Sequence, residues 1–352
     1  MSSPRIINSI QFLRGIAAIL VVVHHTGGFV KMYFSPTVLL GDLFRIGFAG
    51  VDLFFVISGF IIHFTSKKYL NNPKQLIGYL KKRLTRVFPI YWLITTIVFV
   101  AVWILPVILQ KEIFNLDYPN VLIDYVKTYL LYPHHSSINA VSWTLSYELF
   151  FYLCFALLII SNRFVIVLIT ILSVSFINTF LMGNMGEKTN FNFFFSGYNF
   201  EFLFGFLISQ LYQKIKIPPL LSILSIVMAV VVIIKFGYDV PDFDSYRRVF
   251  TFGVPSALIL IGFLNLEQQQ KISIANFWIL LGDASYALYL IHFPMILLLN
   301  KLPSLFGYVL NGNEELMFSY FIIILIVLTG IFVHKFIEKP LSKFISSSGS
   351  SV

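Results

Sequence analysis

Apolar runs close to 20 residues recur along this chain, separated by polar, proline or glycine punctuation, and about 20 residues is what a helix needs to cross the hydrocarbon core of a bilayer. Ten such runs predict ten membrane helices, at approximately 7–26, 47–66, 88–109, 141–161, 164–182, 195–213, 219–236, 249–266, 277–299 and 316–337. The first run follows Arg5, as a signal peptide would, but it ends in His24-His25-Thr26-Gly27-Gly28 with no small-residue cleavage pattern, so it is expected to be a retained helix. The loops between runs are mostly short, the longest external one running from Gln110 to Ala140. The expected organisation is one membrane domain over 1–340 and a disordered cytoplasmic tail over 341–352, whose residues 346–351 are Ser-rich.

Composition agrees with this pattern. Of the 352 residues 58% are hydrophobic and only 12% charged, against about 25% charged in soluble domains. The expected fold class is therefore an all-α integral membrane protein. The single cysteine, Cys154, excludes a disulfide framework and a cysteine-based zinc cluster.

A net charge of +9 could point to nucleic acid, but its placement points to topology instead. An even number of spans puts both termini on one side. That side collects fifteen Lys and Arg, including the cluster Lys81-Lys82-Arg83 with Arg86, whereas the opposite loops hold nine and most of the acidic residues. Both termini are accordingly predicted to be cytoplasmic, and no nucleic-acid partner is expected.

A charge near the bilayer centre costs several kcal/mol, about 2.5–3.5 on insertion scales, so each buried ionisable residue calls for a function. On the first helix Arg14 and His25 are 11 residues apart, which returns to within about 20° of the same face and separates them by about 16 Å of rise. His24 points about 80° away from that stripe. The alternative is that Arg14 snorkels to the headgroups and His25 ends the helix. Asp52, near the start of the second helix, matches the depth of His25 on the antiparallel first helix and is a candidate to orient that imidazole. A structural counterion for a basic residue is the competing role. Gly59 shares the Asp52 face and permits close helix approach. Glu148 enters the fourth run about two turns deep, and Glu201 and His292 lie at similar depth as functional groups or packing partners. Arg83 and Arg86, three apart in a loop before the third run, have a spacing suited to a phosphate or diphosphate, or to anionic lipid.

Four elements then occur in a telling order: Arg14 and His25 with ten residues between them; Gly50-Val51-Asp52-Leu53-Phe54-Phe55 followed by Ser58-Gly59-Phe60; Arg83-x-x-Arg86 followed by Pro89; and Ser142-Trp143-Thr144-Leu145-Ser146-Tyr147-Glu148. Together they resemble the acyltransferase type 3 family, in the stand-alone form without an appended esterase-like domain. The resemblance implies a bacterial inner-membrane O-acyltransferase. Its donor would be acetyl-coenzyme A or a related thioester, a substrate and not a resident cofactor. Its acceptor would be a sugar hydroxyl of a surface polysaccharide or a lipid-linked precursor, with membrane lipid as the surrounding partner. On that reading His25 is the general base, Asp52 its orienter, Glu148 a second proton-handling or sugar-binding group, and Arg14, Arg83 and Arg86 hold the donor. No metal is expected, because the histidines show no metal-ligand spacing. The main competitor is a transporter for a lipid-linked sugar or an acylated product.

Overall fold

The computed structural model describes residues 7–33, 45–109, 121–134, 136, 138–182, 190–240 and 246–348. Arg5, residues 110–120 of the expected external loop, and residues 349–352 of the expected tail lie outside these. The described residues form helices and no strand, as backbone in a bilayer must satisfy its own hydrogen bonds. The helices used below are α1 (Asn8–Tyr33), α2 (Ala49–Ser66), α3 (Leu76–Leu109), α4 (Val121–Tyr129), α5 (Ser142–Ile160), α6 (Val165–Phe176), α7 (Tyr198–Leu211), α8 (Pro219–Phe236), α9 (Val254–Gln268), α10 (Asn276–Asp283), α11 (Ser285–Leu305), α12 (Gly312–Val333) and α13 (Lys339–Ser348).

Nine helical segments among the described residues are long and apolar enough to cross a membrane, making this a multi-pass membrane protein. The tenth expected span, 195–213, forms as the shorter α7, whose 14 residues rise only about 21 Å. Three boundaries differ from the hydropathy reading, and in the first the run expected over 277–299 is broken at Ala284 into α10 and α11. α3 begins at Leu76, not near 88, so the basic stretch Lys81–Arg86 lies inside a helix and not in a loop. Lys and Arg are good helix formers, and the helix simply outruns its apolar segment. The chain after Pro340, expected as a disordered tail, is helical to Ser348, and it follows a single π turn over His334–Glu338.

α1 occupies the middle of the bundle, packed against α2, α9, α10, α11 and α12. α2 is the most enclosed span, with 72% of its residues buried, whereas α8 buries 11% and turns its Leu, Ile and Val side chains outward, as a lipid-facing helix does. The close approach expected at Gly59 is made with α7. A Cβ on Gly59 would overlap the carbonyl of Phe202, and one on Gly205 would overlap the carbonyl of Val56, so a reciprocal glycine pair lets the two backbones touch. Beside this crossing, the rings of Phe55, Tyr147, Phe151, Tyr198 and Phe202 form one aromatic core, with Phe151 and Phe202 stacked at 4.2 Å.

Two ends of the bundle can be named from α1. The near side carries Asn8, the end of α2 and the start of α3. The far side carries His25, the start of α2 and the loop before α5.

Candidate active site

α1, α2, α3, α5 and α11 line a cavity of about 80 Å³. Arg14 comes from α1, Ser58 from α2, Arg86 from α3, Thr144 and Glu148 from α5, and Ser285, Tyr286 and Tyr289 from α11; most of the other lining side chains are apolar. On the near side it continues into an open vestibule. Arg14, Ile61, Arg86 and Tyr286 line both spaces and form the passage between them. The vestibule adds Asp283, His334, Glu338 and Lys339, with His334 Nδ1 2.8 Å from Glu338 Oε2.

Side chains fix this passage. The Arg14 guanidinium donates to Gln11 Oε1 at 3.1 Å, one turn back on its own helix. Tyr286 Oη donates to the carbonyl of Val87 at 2.8 Å, tying α11 to α3 beside Arg86. Tyr152 Oη donates to Glu148 Oε1 at 2.5 Å, which sets the carboxylate on the cavity wall. Ser285 begins α11, which has no side-chain cap. Its Oγ is fully buried and without a hydrogen-bond partner among the described residues. This uncapped helix start lines one cavity with the guanidiniums of Arg14 and Arg86 and the carboxylate of Glu148.

Arg83 does not share that environment. It is buried, donates to Thr65 Oγ1 at 2.5 Å and Ser66 Oγ at 2.7 Å, and lies over the rings of Tyr79 and Tyr152. The expected pairing of Arg83 with Arg86 is therefore not formed at the cavity. Three residues on a helix separate directions by about 60°, enough to send Arg86 into the cavity and Arg83 to the end of α2. The guanidinium that joins Arg86 there is Arg14.

His25 lies beyond the far end of the cavity, and the link between them is α11. Tyr289 lines the cavity and its Oη lies 2.8 Å from Thr144 Oγ1. One turn further on, the fully buried His292 approaches His25, with Nε2 3.2 Å from His25 Nδ1. His25 Nδ1 is also 3.0 Å from the carbonyl of Val21, and the His25 ring packs on Phe293 at 5.4 Å. The imidazole is half-buried, so it is held firmly while part of it stays accessible.

Asp52 is not the partner of His25. Its carboxylate takes two hydrogen bonds from Arg248, from Nε at 2.9 Å and from Nη2 at 2.5 Å, and both side chains are fully buried. The Arg248 guanidinium also stacks on Phe48 at 3.9 Å. A bidentate guanidinium satisfies a buried carboxylate far better than a neutral imidazole, which explains the choice. The counterion role, one of the two open for Asp52, is the one the geometry displays. Glu201 lies in the same region, with Gly253 directly against its side chain.

Comparison with known proteins gives the family of the chain. A family model described as an acyltransferase domain matches residues 7–335. The chain belongs to the acyltransferase type 3 family. This membrane acyltransferase is 28% identical over 325 residues to the exopolysaccharide production protein ExoZ of Rhizobium meliloti (strain 1021), covering 88% of this chain and 94% of ExoZ. It is 25% identical over 391 aligned positions to the O-acetyltransferase OatA of Staphylococcus aureus (strain NCTC 8325 / PS 47), covering 97% of this chain but only 58% of OatA. No solved structure matches.

The sequence reading missed the partnership of His292 with His25 and the place of Ser285 at the cavity. The signal for His292 was its intramembrane position. Ser285 fell inside the run expected over 277–299, and only the break at Ala284 between α10 and α11 makes it a helix start.

Proposed function

We propose that this membrane O-acyltransferase moves an acetyl group from acetyl-coenzyme A to a hydroxyl of a sugar in a cell-surface polysaccharide or its lipid-linked precursor, in the bacterial inner membrane. The near side of the bundle is the cytoplasmic side on this reading, as the basic excess at the start of α3 favours. The observation that carries it is the run of groups from vestibule to far side: two guanidiniums and an uncapped helix start at one end, a held imidazole at the other, and a mostly apolar cavity between. Such an order suits a donor that is anionic at one end and bears a thioester on a long arm at the other. The names of ExoZ and OatA support the acceptor class and the acetyl group.

In the proposed reaction the donor's phosphates rest against Arg14 and Arg86, and its arm reaches through the cavity. The acceptor hydroxyl attacks the thioester carbonyl while His25 takes the hydroxyl proton. A C–O bond forms and the C–S bond breaks. The thiolate leaves and takes up a proton, so coenzyme A departs as the free thiol and an ester remains on the sugar. Glu148, fixed by Tyr152, is positioned to hold an acceptor or a proton near the cavity wall. Asp52 acts indirectly, by fixing the start of α2 to the segment that carries Arg248.

The experiment is a chemical analysis of surface glycan from cells with and without this protein. Loss of one O-linked ester on deletion, restored by the wild-type gene, is the expected result. An unchanged ester content, together with movement of a lipid-linked sugar across sealed vesicles without coenzyme A release, would establish transport instead.

A further inference from the structure

Three nitrogen contacts of the His25–His292 pair must be reconciled with the protons of the two rings. His292 Nδ1 lies 2.6 Å from the carbonyl of Tyr289, and a carbonyl only accepts, so the proton of a neutral His292 sits on Nδ1. Its Nε2 is then a bare lone pair, facing His25 Nδ1 at 3.2 Å. His25 Nδ1 also faces the carbonyl of Val21 at 3.0 Å. One assignment satisfies all three contacts: His25 carries its proton on Nδ1 and shares it between the Val21 carbonyl and His292 Nε2. The nitrogen left without a proton is His25 Nε2, which has no partner among the described residues.

We infer that His292 is a positioning residue: through the Tyr289 carbonyl, His292 and His25 it forces the tautomer of His25 in which Nε2 is the free base. The inference rests on the proposed role of His25 and adds what orients that base. A carboxylate usually performs this task, and it stabilises the imidazolium as well. Here a neutral imidazole does it, which orients the base without adding charge to a span. The same helix, α11, supplies Tyr289 and Tyr286 to the cavity wall, so base and cavity keep a common reference.

The test uses membrane vesicles that contain the host's own surface glycan, titrated with radiolabelled acetyl-coenzyme A. The maximal rate and KM are normalised to the protein recovered as a monodisperse peak after detergent extraction. His292→Met removes the acceptor for the His25 proton. It is expected to lower the maximal rate by about 10²-fold, the lower end of what a positioned base contributes, with KM for the donor unchanged. His292→Gln places an amide oxygen near the position of Nε2 and should restore the rate to within several-fold of wild type. A wild-type rate in His292→Met overturns the inference. So does equal impairment of the folded Met and Gln variants, or an effect confined to KM. His25→Ala run in parallel separates the two ideas: its activity must vanish if His25 is the base. A silent His25→Ala with a fully active His292→Met would overturn the role of His292 alone.

Discussion

At the scale of single residues, depth in the membrane was readable but partnership was not. Asp52 lies at a level that suits either His25 or a basic residue. Arg248, just before the eighth apolar run, is that residue, because the helical turn Tyr246–Arg248 brings its guanidinium onto Asp52. His292 was legible as a buried ionisable group on α11, yet only the packing of α11 on α1 brings it to His25. Two outcomes follow from these placements. Arg86→Gln should raise the donor KM about tenfold or more with little loss of folded protein, because a charge-assisted contact to phosphate is worth about 1.5–3 kcal/mol. Arg83→Gln should leave the donor KM alone and lower the thermal midpoint instead, since Arg83 holds the end of α2. Steady-state kinetics and a melting curve on each variant check both halves. Arg248→Leu strands the buried Asp52 carboxylate, and breaking such a pair costs about 3–5 kcal/mol, so that variant should be recovered poorly or melt far below wild type.

At the scale of helices, the apolar runs located most spans and misjudged those with special ends. Hydropathy starts the third helix where its charges stop, although Lys and Arg let the helix run on towards water. It also drew α7 as a full span, because Phe and Leu surround Glu201 and the turn before Tyr198 leaves no strong polar mark. The glycine at position 59 was legible as a contact point, but its partner Gly205 needed the fold. Outside the spans, α4 is linked to the loop before α5 through Asp124, whose carboxylate lies 2.7 Å from His134 Nε2. His134 Nδ1 is 2.8 Å from the carbonyl of Tyr132, so both ring nitrogens meet acceptors, an arrangement complete only in the imidazolium. Partial burial works against that charge, but the Asp124 carboxylate and the Tyr132 carbonyl prevail and raise the His134 pKa above 6.5. A raised folded pKa gives stabilisation that is full below the unfolded value near 6.5 and is lost as pH climbs through the folded value. Hydrogen-exchange protection factors across 121–134 should therefore be greater at pH 6 than at pH 8.5. In His134→Gln the two values should coincide, and an unchanged difference there would refute the assignment.

At the scale of the whole molecule, the proposed mechanism separates two tasks by depth, an anion held near one side and a base near the other, about 16 Å apart along α1. The family's order of motifs could be read directly from the chain, because Arg14, His25, Glu148 and Arg86 are spaced in ways that survive without structure. The cavity that joins Arg14, Arg86 and Glu148 could not, since it is built from five helices and depends on Ser285, Tyr286 and Tyr289 of α11. In the proposed mechanism His25 takes the acceptor proton for a donor that enters past Arg14 and Arg86. The most direct measurement is transfer of label from acetyl-coenzyme A to surface glycan in membranes bearing either wild-type protein or His25→Ala at equal folded levels. Label is expected in the glycan with wild type and none above background with His25→Ala; label at a near wild-type rate in the variant would contradict the role of His25 as base.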